Sequence, residues 1–220
     1  MSLKLYQFPH SPYCIPISLI LKNAGIEFED ILVDYADRGL VARVTNGAYY
    51  QVPVITNEEE IIFESSDTSI DVAHYVDGLI QHDLFPKAIS GIHEIVVAHI
   101  ENELEGVGFK TVDPEYTDQI EDIGDRTMAI RHKERRFGRG CVEEWRANKE
   151  TLLADFYTGV DAFKNRLELK SFLFGETPVY ADYALYGVIG NVHYIPSNIR
   201  MDGREWLQAW MERLETFKLN

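Results

Sequence analysis

The spacing of apolar residues changes once along this chain, and that change limits the folds open to it. In the first 80 residues short apolar runs alternate with polar residues and are punctuated by Pro and Gly. Beyond residue 91 the apolar positions recur at intervals of three and four. Period two belongs to strands and period 3.6 to helices. A mixed α/β segment followed by an all-helical one is therefore expected. Residues 3–8 (LKLYQF) alternate and stop at Pro9, which cannot continue a ladder, so they predict a strand. Residues 15–24 predict a helix closed by Gly25, a residue free to take the left-handed conformation. A second strand is expected over 28–33, a short helix over 37–44, a hairpin from 54–56 and 61–63, and a third helix over 66–79.

Residues 81–91 (QHDLFPKAISG) have linker composition. After them, Ile92, Ile95, Val96, His99, Ile100 and Glu103 form one helical stripe, and Trp145, Leu152, Phe156, Val160, Phe163 and Leu167 form another. Both are expected to face a core. Segments 181–188 and 206–214 add two more helices. The expected organisation is an α/β domain over 1–80, a linker over 81–90 and an all-helical domain over 91–220.

At 220 residues and 45% hydrophobic, the chain can bury a core as one large or two small domains. With 21 Lys plus Arg against 36 Asp plus Glu its formal charge is −15, a field that repels nucleic-acid phosphates and anionic lipid surfaces. The two cysteines, Cys14 and Cys141, are too few for a disulfide framework, and the start MSLKLYQF lacks the features of a signal peptide, so a cytoplasmic, reducing location is expected. The longest apolar run, 14–21, is broken by Pro16 and Ser18, and no membrane span is expected. The histidines show no metal-ligand spacing with Cys or carboxylates, so no metal is expected.

Four clusters carry chemistry. FPHSPYC (8–14) lies between the first strand and the first helix. A thiolate held there meets unpaired backbone N–H groups and the positive end of the helix dipole, and a Ser11 hydroxyl can donate to it. Ser11 as a plain helix cap is the competing reading. SPYC resembles the CPYC redox site of glutaredoxins and, more closely, the catalytic serine segment of serine-type glutathione transferases, because Ser11 stands where the redox nucleophile would be. Cys14 remains a thiol and is the alternative catalytic residue, or a small buried apolar side chain. Tyr6 and Tyr13 are weaker thiolate donors: in tyrosine-type members of the family the tyrosine directly precedes the Phe-Pro pair, where this chain has Gln7.

The resemblance extends along the chain. It implies a thioredoxin-like N-terminal domain followed by a C-terminal helical bundle. It also implies glutathione as co-substrate, a small apolar electrophile as second substrate, and a homodimer in which each N-terminal half packs against the partner's helical half. Gln51-Val52-Pro53 resembles the segment where a cis proline follows the residue whose backbone pairs with the cysteinyl part of glutathione. Glu64-Ser65 resembles the pair that receives the γ-glutamyl end at a helix N-terminus. Ser66-Asp67 and Thr68-Ser69 are rival pairs, and all of these serines also suit simple helix capping. TPVYADYALYG (177–187) resembles the family's capped helix, with Val179 in place of the hydroxyl cap and Asp182 in a structural role. The basic island RHKERRFGRG (131–140) resembles a stretch of the β-aryl-etherase subgroup, and it suggests Arg135 or Arg136 over the cleft if it is not simply a solvated face. The pocket for the electrophile is expected among Val97, Ile100, Glu101, Phe109, Tyr116 and Phe137. The expected activity is glutathione transfer to an electrophilic or ether-linked apolar substrate. A glutathione-dependent oxidoreductase using Cys14 and a non-catalytic ligand-binding relative are the alternatives.

Overall fold

A computed structural model describes residues 3–66 and 70–219. Asp67, Thr68 and Ser69, and with them the rival pairs Ser66-Asp67 and Thr68-Ser69, lie at least partly outside the described residues. Strand β1 (Leu3–Gln7) is followed by α1 (Cys14–Asn23), β2 (Glu29–Leu32), α2 (Gly39–Val44), β3 (Val54–Asn57), β4 (Glu60–Phe63) and α3 (Asp71–Leu79). The sheet order is β2-β1-β3-β4, with β2 parallel to β1 and the other two pairings antiparallel. This is the mixed sheet of a thioredoxin-like domain. Alternation along β1 sends Leu3, Leu5 and Gln7 inward, and Gln7 spends its amide on Asp30, donating Nε2–H to Oδ1 at 2.7 Å.

Every later named element is helical among the described residues. After a 3₁₀ turn at Lys87–Ile89 come α4 (Ser90–Ala98), a π-helical segment (His99–Leu104) and α5 (Glu105–Asp118), with helical backbone across both junctions. Then follow α6 (Ile123–Phe137), α7 (Cys141–Ala147), α8 (Lys149–Asp161), α9 (Lys164–Leu169), α10 (Tyr180–His193) and α11 (Glu205–Thr216). The core of this half surrounds α10, which buries Tyr180, Ala181, Tyr183, Ala184, Leu185, Val188, Ile189 and Val192. A helix apolar on nearly every side belongs in the centre of a bundle.

Two expectations fail here. The stripe Ile92, Ile95, Val96, His99, Ile100 and Glu103 faces the core only in part: Ile100 is fully buried and Val96 packs against the core, but Ile92 and Ile95 are 53% and 65% exposed, His99 and Glu103 are exposed, and the other buried residues are His93, Val97 and Leu104. Apolar residues on both sides of α4 made its inward face ambiguous. The third helix starts at Asp71 and not at Ser66. The backbone N–H groups of Ser65 and Ser66 donate to the Asp71 carboxylate at 2.6 and 2.7 Å. Glu64 supplies the cap, accepting from Asp71 N–H at 2.6 Å and Val72 N–H at 3.4 Å.

At the start of α10, Val179 offers no hydroxyl, and Asp182 makes its half of the capping arrangement alone. It accepts from the N–H of Val179 at 3.1 Å and of Leu173 at 2.8 Å. Burial pushes its carboxyl up to about 6.

Candidate active site

The two halves meet at the loop before α1. Gly187 of α10 lies so close to that loop that a Cβ built on it would stand 2.3 Å from the Pro12 carbonyl oxygen and 2.6 Å from Pro16 Cγ. One turn on, Asn191 donates Nδ2–H to the His10 carbonyl at 2.6 Å. Both groups are buried, so the helical half fixes the backbone on either side of Ser11. Asn191 escaped the sequence reading, although a buried amide in the apolar run GVIGNVH was its signal.

Ser11 Oγ accepts from the backbone N–H of Tyr13 and of Cys14, both at 3.3 Å, so it does cap the start of α1. A hydroxyl used only as acceptor still has its proton to give. Cys14 is completely buried, and that burial pushes its thiol up to about 12 despite the opposing influence of the neighbouring Ser11 side chain. His10 is stacked between Phe8 and Tyr116, with ring centroids 5.5 and 3.7 Å away, and burial drives its imidazole down to about 3. It is a neutral side chain whose Nδ1 makes no hydrogen bond among the described residues.

Ser11 opens onto a cleft of about 1130 Å³ between the halves. That exceeds the roughly 300–1,000 Å³ of an ordinary single-ligand pocket and leaves room for two molecules. Gln51, Val52, Pro53 and Glu64 line it as well, so those sequence candidates converge on one wall. Ser65 does not line the cleft, but its neighbour Glu64 does. The Val52–Pro53 peptide bond is cis. Among the described residues the backbone N–H and C=O of Val52 take no protein partner.

Arg38, which the sequence reading missed, joins the wall from the turn before α2. Its guanidinium lies 4.4 Å over the Phe8 ring, and its Nε donates to the Tyr35 carbonyl at 3.0 Å.

The opposite wall comes from the α4–π–α5 rod. Val97, Glu101, Glu105, Phe109 and Asp113 all reach the cleft, each four residues from the last. In an α-helix four residues overshoot a full turn by about 40°. The wider π turn slows that drift and keeps the row on one face. Burial pushes the carboxyls of Glu64, Glu101 and Glu105 each up to about 7. Tyr180 of α10 donates its hydroxyl to Glu101 at 3.3 Å.

Of the expected pocket residues, Val97, Glu101, Phe109 and Phe137 line the cleft. Ile100 does not: it points into the core and is fully buried. Tyr116 stands behind the lining, stacked on His10. From the basic island Lys133 and Arg136 reach the cleft and Arg135 does not.

Residues 139–213 match the family described as Glutathione S-transferase, C-terminal domain. This chain has the glutathione S-transferase fold. Glutathione transferase GSTFuA3 from Phanerochaete chrysosporium superposes with a TM-score of 0.76 at 16% identity, over 100% of this chain and 98% of that one. Glutaredoxin 2 from Salmonella typhimurium, solved in complex with glutathione, gives 0.71 at 17% identity, over 99% and 96%. The β-etherase LigF from Sphingobium sp. strain SYK-6 gives 0.65 at 14% identity, over 97% and 95%. No curated protein matches in sequence. Within this glutathione S-transferase fold, the cleft lies between the sheet-bearing half and the helical half. Among the described residues no helix is long and apolar enough to cross a membrane, and no group of three His, Cys, Asp or Glu side chains is placed to hold a metal.

Proposed function

We propose that the chain is a glutathione transferase in which Ser11 holds the glutathione thiolate for attack on an apolar electrophilic or ether-linked substrate. The observation that carries the reading is the convergence of Ser11, Val52, Pro53 and Glu64 on one wall of a cleft large enough for two ligands. The cysteinyl backbone of glutathione pairs with the free N–H and C=O of Val52, which puts its sulfur toward Ser11. Its γ-glutamyl end lies at Glu64, whose carboxylate takes the ammonium, while Ser65, outside the cleft lining and hydrogen-bonded to Asp71, is left out of the contact. Its glycine carboxylate is left to Gln51 and Arg38.

Ser11 lowers the thiol pKa by donating its O–H to the sulfur while the N–H groups of Tyr13 and Cys14 polarise that hydroxyl. Attack forms the carbon–sulfur bond and expels the leaving group with its electron pair. The burial of Cys14 argues against an exchange mechanism there, since the thiolate is the attacking species and its formation is suppressed.

A homodimer in a reducing cytoplasm belongs to the same reading. The exposed apolar side chains of Ile92 and Ile95 on α4 are consistent with a covered face. Light scattering that reports a mass of only 25.3 kDa would exclude the dimer under the conditions used.

The test of the mechanism is a titration of bound glutathione by thiolate absorbance. Ser11→Ala should raise the apparent thiol pKa by one to two units, the equivalent of about 1.5–3 kcal/mol for a hydrogen bond to a charged atom. Cys14→Ala should leave it unchanged. The reverse pattern would transfer the chemistry to Cys14.

A further inference from the structure

The end of the cleft farthest along α5 carries charges that the proposed glutathione contacts do not use. Phe109, Phe137 and Trp145 form an aromatic cluster there, with each pair of ring centroids 5.3 Å apart. Three cations surround it. Lys133 Nζ lies 5.4 Å from the Phe109 centroid, Lys110 Nζ 5.8 Å from the same ring, and Arg136 Cζ 5.1 Å from the Phe137 centroid.

Lys133 is neutralised by its ion pair with Asp113. Lys110 and Arg136 line the cleft with no carboxylate in ion-pair range among the described residues. The remaining acid on this stretch of wall, Glu105, carries a weakened negative charge because burial raises its carboxyl to about 7.

A chain of formal charge −15 pairs many of its cations at the surface, so two unpaired ones on a cleft wall beside aromatic rings form a local anion site. Guanidinium suits planar bidentate contact with a carboxylate, and ammonium adds a second, adjustable donor. Phe137 is 38% exposed and Gly106 has nothing within 4 Å of where a Cβ would be, so a flat ring has both a surface and space.

We propose that the second substrate is an aryl or similarly flat apolar acid, with its ring against Phe109 and Phe137 and its carboxylate held by Arg136 and Lys110. This rests on reading the cleft as a site for glutathione and a second substrate. It narrows that substrate from any apolar electrophile to one carrying an anionic group at the end remote from the reacting carbon.

Cinnamate and its neutral isostere cinnamamide are suitable probes, titrated calorimetrically into protein saturated with S-methylglutathione, whose blocked sulfur cannot react. Wild type should bind cinnamate roughly tenfold more tightly than cinnamamide, the scale of one charge-assisted hydrogen bond. Arg136→Gln with Lys110→Gln should reduce that preference to within about twofold while leaving the affinity for S-methylglutathione unchanged. Arg135→Gln, outside the cleft, should keep the preference.

Equal affinity of the two probes for wild type, no binding of either, or a preference that survives the double variant would overturn the proposal. So would loss of S-methylglutathione binding in the double variant, since the two cations would then be serving glutathione. If wild type fails to bind S-methylglutathione at all, the glutathione reading falls on its own, and the probe comparison repeated on the protein alone still decides whether the anion site exists.

Discussion

Asn191 reaches across 181 positions of sequence to donate a hydrogen bond to the carbonyl of His10 at 2.6 Å, and the residue it thereby steadies is Ser11. Replacing Asn191 by Ala leaves a buried carbonyl unsatisfied, at a cost of about 1–3 kcal/mol in stability. Because Val52 and Glu64 are untouched, glutathione affinity should change by less than about threefold, while kcat falls by an order of magnitude or more as the hydroxyl loses its aim. Thermal melts, calorimetry and steady-state kinetics on the same variant separate these effects. A variant with normal kcat would show that the loop holds its shape without the amide.

Gly187 tests the same junction by steric means. A methyl group there would meet the Pro12 carbonyl at 2.3 Å, and neither a backbone oxygen nor a proline ring can turn aside. Gly187→Ala should therefore destabilise by roughly 1–3 kcal/mol or more and depress activity along with it. Gly78→Ala is the control: nothing lies within 4 Å of that Cβ, so a neutral result or a gain of up to about 1 kcal/mol is expected. Denaturant melts of the two variants give the comparison directly.

These junction contacts show what the sequence could reveal and what it could not. The strands, the early helices and the central helix around Asp182 were legible because local periodicity and a few Pro and Gly positions decide them. Ser11, Val52, Pro53 and Glu64 were found through short motifs. Arg38 and Asn191 were not, since each reaches the site only through a long-range packing arrangement. Ile92 and Ile95 were misread as inward-facing because they share helical periodicity with the buried Ile100, as Val97 does, and only the neighbours of the helix distinguish the two faces. The start of α3 was misplaced because three candidate serines precede it, whereas the cap comes from Glu64, seven residues before Asp71.

Glu64 has two tasks in this arrangement, closing the N-terminus of α3 and facing the cleft. Glu64→Ala should weaken glutathione binding by at least about tenfold, since a charge-assisted hydrogen bond is worth about 1.5–3 kcal/mol. It should also lower the melting temperature, because the N–H groups of Asp71 and Val72 lose their acceptor. Glu64→Gln keeps an oxygen for the cap and removes the charge, so it should restore stability without restoring affinity. A dissociation constant within about twofold of wild type in Glu64→Ala would remove Glu64 from the glutathione site.

Glu101 offers a pH test that does not depend on turnover. Burial is the main reason that its carboxyl titrates near 7 instead of its ordinary 4.5; the neighbouring Glu64 and Glu105 add to the rise, and the Tyr180 hydroxyl opposes it. A carboxyl raised in this way holds its proton in the folded chain at pH values where the unfolded chain has released it. Its contribution to stability is therefore full below about 4.5 and is lost as the pH rises through about 7. Glu101→Gln is neutral throughout and carries no such dependence. The melting temperature of the variant relative to wild type should thus climb between about pH 5 and about pH 8, by a few degrees, given that each kcal/mol corresponds to roughly 2–4 °C in a chain of this size. His10 and His193 titrate in both proteins and cancel in the difference. A gap between the two melting curves that stays constant across that range would mean that Glu101 is ionised as freely as a carboxylate in water, and that the wall facing Ser11 is wetter than its burial implies.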